Sequence, residues 1–69
     1  MQAHAIAAAG IAAASARFEA SARRTAADPL ADLAGETVER LGARIALEAN
    51  VSVLRTADDM AGTLLDILA

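Results

Sequence analysis

The residues of this chain that could do chemistry are few and lie far apart in the sequence. His4 is its one imidazole, and no carboxylate or nucleophilic side chain lies near it in sequence. A catalytic histidine needs an orienting partner and a pocket that holds it. We therefore interpret His4 as an exposed side chain without a function.

The acidic pair Asp58 and Asp59 is the other possible reactive group. Adjacent residues on a helix point about 100° apart, so these two carboxylates cannot share a proton or a metal ion. A role in acid-base chemistry would need groups from another chain. Serine hydroxyls have no base at a recognisable spacing; they belong to Ser15, Ser21 and Ser52. The sequence therefore predicts no enzyme, no cofactor, no metal site and no small-molecule substrate.

The composition bounds what the chain can be. With 69 residues the chain is at most one domain. It has no cysteine for a disulfide and a single histidine for a metal site. Much of its 57% hydrophobic content is alanine, which buries little area per residue. A chain of this size needs a further source of stability. Because the composition offers neither disulfides nor a set of metal ligands, oligomerisation or partner binding remains as that source. We expect self-association, as a dimer or a larger oligomer.

Charge and hydropathy exclude two classes of partner. The net charge is −3 and the six basic residues are all arginine, whereas nucleic-acid binders concentrate basic residues on one face. The uncharged stretch 3–16 is too short and too rich in alanine to insert into a bilayer, and no basic segment precedes it as in a secretory signal. We expect neither nucleic-acid binding nor membrane insertion.

Two helices account for the whole chain. Alanine dominates residues 2–27 and is the best helix former, so this segment predicts one helix. Residues 28–29 are Asp-Pro, in which proline disfavours helix before it, aspartate is a preferred N-cap and proline a preferred first helical residue. The second helix is thus expected over 30–68. A short turn makes the pair antiparallel. We predict an all-α fold: one antiparallel hairpin of long, coiled-coil-like helices over residues 1–69, which assembles into a helical bundle and whose longer second helix overhangs the first.

Apolar residues recur along the second helix at a spacing slightly longer than the heptad repeat, which favours a nearly straight or weakly right-handed packing seam. We call this set the main apolar row: Val38, Leu41, Ile45, Ala49, Val53, Ala57, Met60 and Leu64. A second row widens the apolar stripe towards the C-terminus: Leu47, Val51, Leu54, Ala61, Leu65 and Leu68. A stripe this wide contacts more than one neighbour.

The helix-packing and oligomer interface is expected to comprise the larger apolar side chains of both helices: Ile11, Phe18, Val38, Leu41, Ile45, Val53, Leu54, Met60, Leu64, Leu65 and Leu68. Two glycines stand four residues before an alanine, Gly10 before Ala14 and Gly42 before Ala46. Each glycine is either a tolerated weak point of its helix or a place where two backbones approach closely.

The segment 47–67 closely resembles the C-terminal segment of bacterial flagellar rod and hook proteins. It reads Leu-Glu-Ala-Asn, then Val-Leu-Arg-Thr-Ala-Asp-Asp-Met, then Gly-Thr-Leu-Leu-Asp-Ile. The family motif falls on Glu48, Asn50, Thr56, Ala57 and Asp58. Residues 9–26 resemble the family's N-terminal helix more weakly, and residues 22–27 stand where the family has an asparagine-rich run.

The resemblance implies a structural role. In that family the two terminal helices pair as an antiparallel coiled coil that packs with neighbouring subunits into the axial tube, and β-rich domains lie between them. This chain has only a turn there. We expect a structural or assembly component of the flagellar basal body, in the periplasmic rod and hook region, that packs with other axial subunits. The alternative is a cytoplasmic hairpin, accessory, regulatory or chaperone-like, that binds those subunits.

Overall fold

The computed structural model describes residues 2–68 as two helices packed side by side. α1 spans Gln2–Ala27 and α2 spans Leu33–Leu68, and they run antiparallel. The molecule is a rod with extents of 58 × 15 × 13 Å. The predicted all-α hairpin is confirmed, and no strand occurs within the described residues.

α1 ends where the sequence predicts, and the Asp-Pro step then forms a turn. The Asp28 N–H donates to the Arg24 carbonyl at 3.0 Å, closing the last turn of α1. The Asp28 carbonyl accepts a bond from the Ala31 N–H at 3.3 Å. Pro29 is therefore the second residue of a four-residue turn, a position whose backbone angle proline pre-sets.

α2 begins at Leu33, three residues after the predicted start at Leu30. Asp32 is its N-cap: its carbonyl accepts the first helical bond, from the Glu36 N–H at 2.9 Å, and its carboxylate accepts the Gly35 N–H at 3.2 Å. Both Asp28 and Asp32 can cap a helix. Asp28 is used by the turn, so Asp32 takes this role and the connection lengthens to residues 28–32.

Small residues form the seam between the helices. Ala7, Ala14 and Ser21 on α1 are 0%, 3% and 0% exposed and follow one another at steps of seven residues; Ala43 on α2 is 1% exposed. Steps of seven are the repeat of a left-handed coiled coil. Among residues 2–68 no side chain larger than these is fully buried.

Half-buried residues extend the seam along both helices. On α2 seven of them form a row with heptad spacing on either side of Ala43: Glu36, Arg40, Leu47, Asn50, Leu54, Ala57 and Ala61. Four more lie outside that row: Glu39, Gly42, Ala46 and Val51. The seam therefore does not follow the main apolar row. Of the residues in that row, Ala57 alone lies in the seam. Small side chains let the two backbones approach, and polar bonds cross between them. The helices therefore pair mainly through small side chains and leave most of the large ones outside.

Candidate functional site

A polar cluster ties the two helices together near the connecting loop. The buried Ser21 hydroxyl donates to a Glu36 carboxylate oxygen at 3.0 Å, and Arg24 donates to both oxygens of that carboxylate, at 2.6 and 3.0 Å. Arg40 donates to the hydroxyls of Ser21 and Thr25, at 3.2 and 2.7 Å. A shift of one helix by a turn would leave buried polar groups unpaired, so the cluster fixes the register.

Two cross-helix ion pairs shift the pKa values of their carboxyls. The hydrogen bonds from Arg24 lower the pKa of Glu36, and partial desolvation opposes that effect. On the neighbouring turn Arg17 donates to Glu39 at 2.9 Å and lowers the pKa of that carboxyl. Both carboxylates therefore favour the folded state in their ionised form.

The motif residue Asn50 lies in the seam against Gly10. Its amide donates to the Ala46 carbonyl at 2.7 Å, and a Cβ placed on Gly10 would meet the Asn50 amide oxygen at 2.2 Å. At Gly42 the nearest such neighbour is the guanidinium of Arg17, at 3.2 Å. Both glycines therefore make room for a side chain of the opposite helix and not for its backbone.

His4 is not the isolated side chain that the sequence suggested. Its Nε2 hydrogen-bonds a carboxylate oxygen of Asp58, and its side chain is one third exposed. The two residues are 54 positions apart, and the antiparallel pairing brings them together. The antiparallel pairing predicted from the sequence could therefore have identified Asp58 as a partner of His4. Within residues 2–68 no group of three or more potential metal ligands forms.

The remaining motif residues divide between the seam and the surface. Ala57 is half-buried beside α1, whereas Thr56 is exposed. Glu48 is exposed and accepts a bond from Arg44, one turn away on α2, at 3.0 Å. Asn50, Ala57 and Asp58 thus contact or face α1, and the other two motif residues are exposed.

Most of the predicted interface residues are on the outside of the hairpin. Ile11 and Leu54 are half-buried in the seam. The other nine are between 48% and 82% exposed: Phe18, Val38, Leu41, Ile45, Val53, Met60, Leu64, Leu65 and Leu68. Within the described chain about half or more of each side chain stays uncovered, and their role as an oligomer interface stays a prediction. Sequence reasoning missed the small seam residues because it weighted side-chain size.

α2 continues past the start of α1, and we call residues 62–68 the overhang. Leu64 and Leu68 follow Ala57 and Ala61 at the seam spacing, but they are 60% and 82% exposed because α1 begins at Gln2 and does not reach them. An open, wholly apolar groove of about 470 Å³ lies at this end; its lining is Ala3, Ala57, Met60, Ala61, Leu64 and Leu65. The seam surface thus continues beyond the residues that cover it.

A second open groove lies on the side of the hairpin, between Phe18 and Leu47. It measures about 450 Å³, and apolar atoms supply most of its lining. Its volume is within the range of ligand pockets, yet it is open and shallow, and such pockets enclose most of their ligand.

Over the described residues, neither helix combines the length and the apolar character needed to cross a bilayer. Comparison with protein-family models, with curated proteins and with solved structures found no match.

Proposed function

We propose that this chain is a structural or assembly component of the bacterial flagellar basal body, of the rod and hook type, and that it acts by packing its helices against other axial subunits. The observation that carries the proposal is the resemblance of segment 47–67 to the C-terminal segment of those proteins. That segment forms the C-terminal half of α2 and runs into the overhang.

The exposed apolar surface supports a packing role. A stable soluble monomer rarely exposes long contiguous apolar patches, which are typical of interaction surfaces. Among residues 2–68 thirteen large apolar side chains are exposed, while the seam buries three alanines and one serine. A seam of alanines contributes little hydrophobic stabilisation, because each alanine buries about one methyl group, worth about 0.8 kcal/mol. Neighbouring subunits would supply the burial that the hairpin lacks.

The overhang is the part of this surface that we assign to axial subunits. It offers Leu64, Leu65 and Leu68 beside the end of α1, at positions where an incoming helix would continue the seam. Such a helix would fill the groove between Ala3 and Met60. The partner we expect is therefore an amphipathic helix of another subunit.

The experiment compares two variants of the chain in its host. The triple variant Leu64→Ala, Leu65→Ala, Leu68→Ala keeps good helix formers and removes the large side chains; the control Thr63→Ala, Asp66→Ala changes polar residues of the same turns. We expect the triple variant to disappear from purified hook-basal bodies and to impair motility, and the control to resemble the natural chain. Intact assembly with the triple variant would refute the packing role of the overhang.

The alternative is a cytoplasmic accessory or chaperone-like hairpin that binds axial subunits. It is favoured by residues 22–27, where Arg24 occupies the place of the family's asparagine-rich run and binds Glu36 across the hairpin. This alternative predicts that the chain co-purifies with an axial subunit from the cytoplasmic fraction and is absent from hook-basal bodies. Immunoblots of the two fractions distinguish the proposals.

A further inference from the structure

A second apolar surface lies on the side of α2 that is turned away from α1. Ile45 follows the buried Ala43 by two residues, and this spacing places the two side chains about 200° apart around the helix. Val38, Leu41 and Ile45 are 68%, 55% and 58% exposed. We call this surface the outer face; its residues are Val38, Leu41, Ile45 and Ala49 and, where it reaches the groove beside Ala3 of α1, Val53.

We propose that the outer face binds a second copy of this chain, with the two α2 helices antiparallel and a twofold axis beside Ile45. The spacing of the face is nearly symmetric about that residue. Leu41 and Ala49 lie four residues to either side of Ile45, and Val38 and Val53 lie seven and eight residues away. An antiparallel copy thus places Leu41 opposite Ala49 of the other copy, and Val38 opposite Val53. At the first of these contacts a large side chain meets a small one, as interdigitated packing requires, and at the second a valine meets a valine.

The charges beside the outer face are complementary in the same register. Arg44 and Glu48 border one edge of it, pair with each other at 3.0 Å, and are 72% and 63% exposed. The twofold axis brings Arg44 of each copy within one helical turn of Glu48 of the other. Two reciprocal ion pairs between the copies then flank the apolar contact.

The overhang is less suited to self-association. Beyond Arg55 the only charged residues of α2 are acidic, namely Asp58, Asp59 and Asp66. Antiparallel pairing of two overhangs would bring these carboxylates of both copies into one region without a basic residue between them. At the outer face the two Arg44 side chains also lie near each other, but a Glu48 carboxylate of each copy lies beside them, so we expect a second copy to cover this surface.

The first experiment measures the oligomeric state of residues 1–69 by sedimentation equilibrium. We expect a dimer at micromolar concentrations that Ile45→Asp weakens at least about a hundredfold, because two unpaired charges would be buried at the axis. The matched control Leu65→Asp places the same charge on the overhang and should leave the dimer intact. A monomeric natural chain, or a dimer broken by Leu65→Asp and not by Ile45→Asp, would overturn the proposal.

The second experiment tests the register through charge. In Arg44→Glu, and equally in Glu48→Arg, the four charges on this edge of a dimer have the same sign, and we expect each variant alone to dimerise about tenfold more weakly. Mixing the two variants gives a dimer in which the charges alternate, so affinity should return to within about threefold of the natural chain. If Arg44 and Glu48 acted only within their own helix, mixing would restore nothing. Circular dichroism of each variant reports whether the helices remain folded.

The dimer goes beyond the proposed flagellar role and does not depend on it. Absence from hook-basal bodies would refute the function and leave the dimer standing, whereas a monomer in solution would refute the dimer and leave the overhang as the subunit contact.

Discussion

Gly10 lies directly beneath the side-chain amide of Asn50, and the two residues define the middle of the seam. A Cβ on Gly10 would meet three atoms of that amide at 2.2, 2.4 and 2.6 Å. The motif asparagine therefore fits because the facing residue has no side chain. Glycine in a helix interior costs about 1 kcal/mol relative to alanine, and here it accommodates a cross-helix contact.

This contact predicts a coupling between the two positions. Gly10→Ala alone should give little stabilisation, because Asn50 must rotate away and lose its bond to the Ala46 carbonyl. In an Asn50→Ala background the same substitution should stabilise the hairpin by about 1 kcal/mol, the helix-propensity difference. Thermal and urea unfolding of the four proteins of this cycle give the coupling energy, expected near 1 kcal/mol. Equal effects of Gly10→Ala in both backgrounds would contradict the contact.

The hairpin could be predicted from the sequence because its signals are local. Alanine propensity defines α1, and the proline ends it at the observed residue. The predicted start of α2 was wrong because Asp28 and Asp32 are equally good N-caps. Which of them caps the helix depends on the hydrogen bond of the turn at Asp28, and helix propensities do not predict that bond. The contact between His4 and Asp58 needed only the antiparallel pairing, which the sequence did predict.

The identity of the seam could not be predicted from hydrophobic periodicity. The main apolar row is the strongest periodic signal in α2, yet the helices pair through Ala7, Ala14 and Ala43, where the signal is weak. Periodicity detects a face that needs burial and does not say whether the same chain or another one buries it. In this chain most of the large side chains and the intramolecular seam lie on different faces. Periodicity therefore did not identify the residues that join the two helices.

The separation of faces predicts different outcomes for two leucine-to-aspartate variants. Leu54→Asp places a charge in the half-buried seam and should destabilise the hairpin by several kcal/mol, enough to unfold it. Leu41→Asp places the same charge on the exposed outer face and should keep the helices folded. Circular dichroism measures both effects. Equal loss of helix in the two variants, at concentrations where the natural chain is monomeric, would show that Leu41 belongs to the folding core.

Acid should unfold the hairpin through its loop end. The pKa values of Glu36 and Glu39 are lowered in the folded chain from the ordinary 4.5 by Arg24 and Arg17. A lowered pKa means that the stabilisation is complete above the unfolded value and is lost as the pH falls below it, towards the folded pKa. We therefore expect stability to be level above about pH 6 and to decline below 4.5.

The double variant Glu36→Gln, Glu39→Gln tests that assignment. The variant should be less stable at pH 7, and its free energy of unfolding should fall less steeply in acid, because it lacks the two carboxyls that bind protons when the chain unfolds. Glu19→Gln is the control, since Glu19 pairs with Arg23 on its own helix. Its acid transition should keep the natural slope. The free energy of urea unfolding between pH 3 and pH 7 measures these slopes, and an unchanged slope in the double variant would exclude the two cross-helix pairs as the cause.

Gly62 separates the overhang from the paired part of α2, and a Cβ there would have no neighbour within 4 Å. Gly62→Ala therefore adds helix propensity without any clash, about 1 kcal/mol in favour of the helical overhang. Because α1 does not reach this segment, the gain should remain local. Amide hydrogen exchange should slow about fivefold at residues 62–68, while the urea midpoint of the hairpin stays the same. The overhang would then be more ordered before binding. If it binds an axial subunit as we propose, that subunit should bind more tightly to the variant. Weaker binding would instead mean that the partner approaches the backbone of Gly62, which leaves no room for a methyl group.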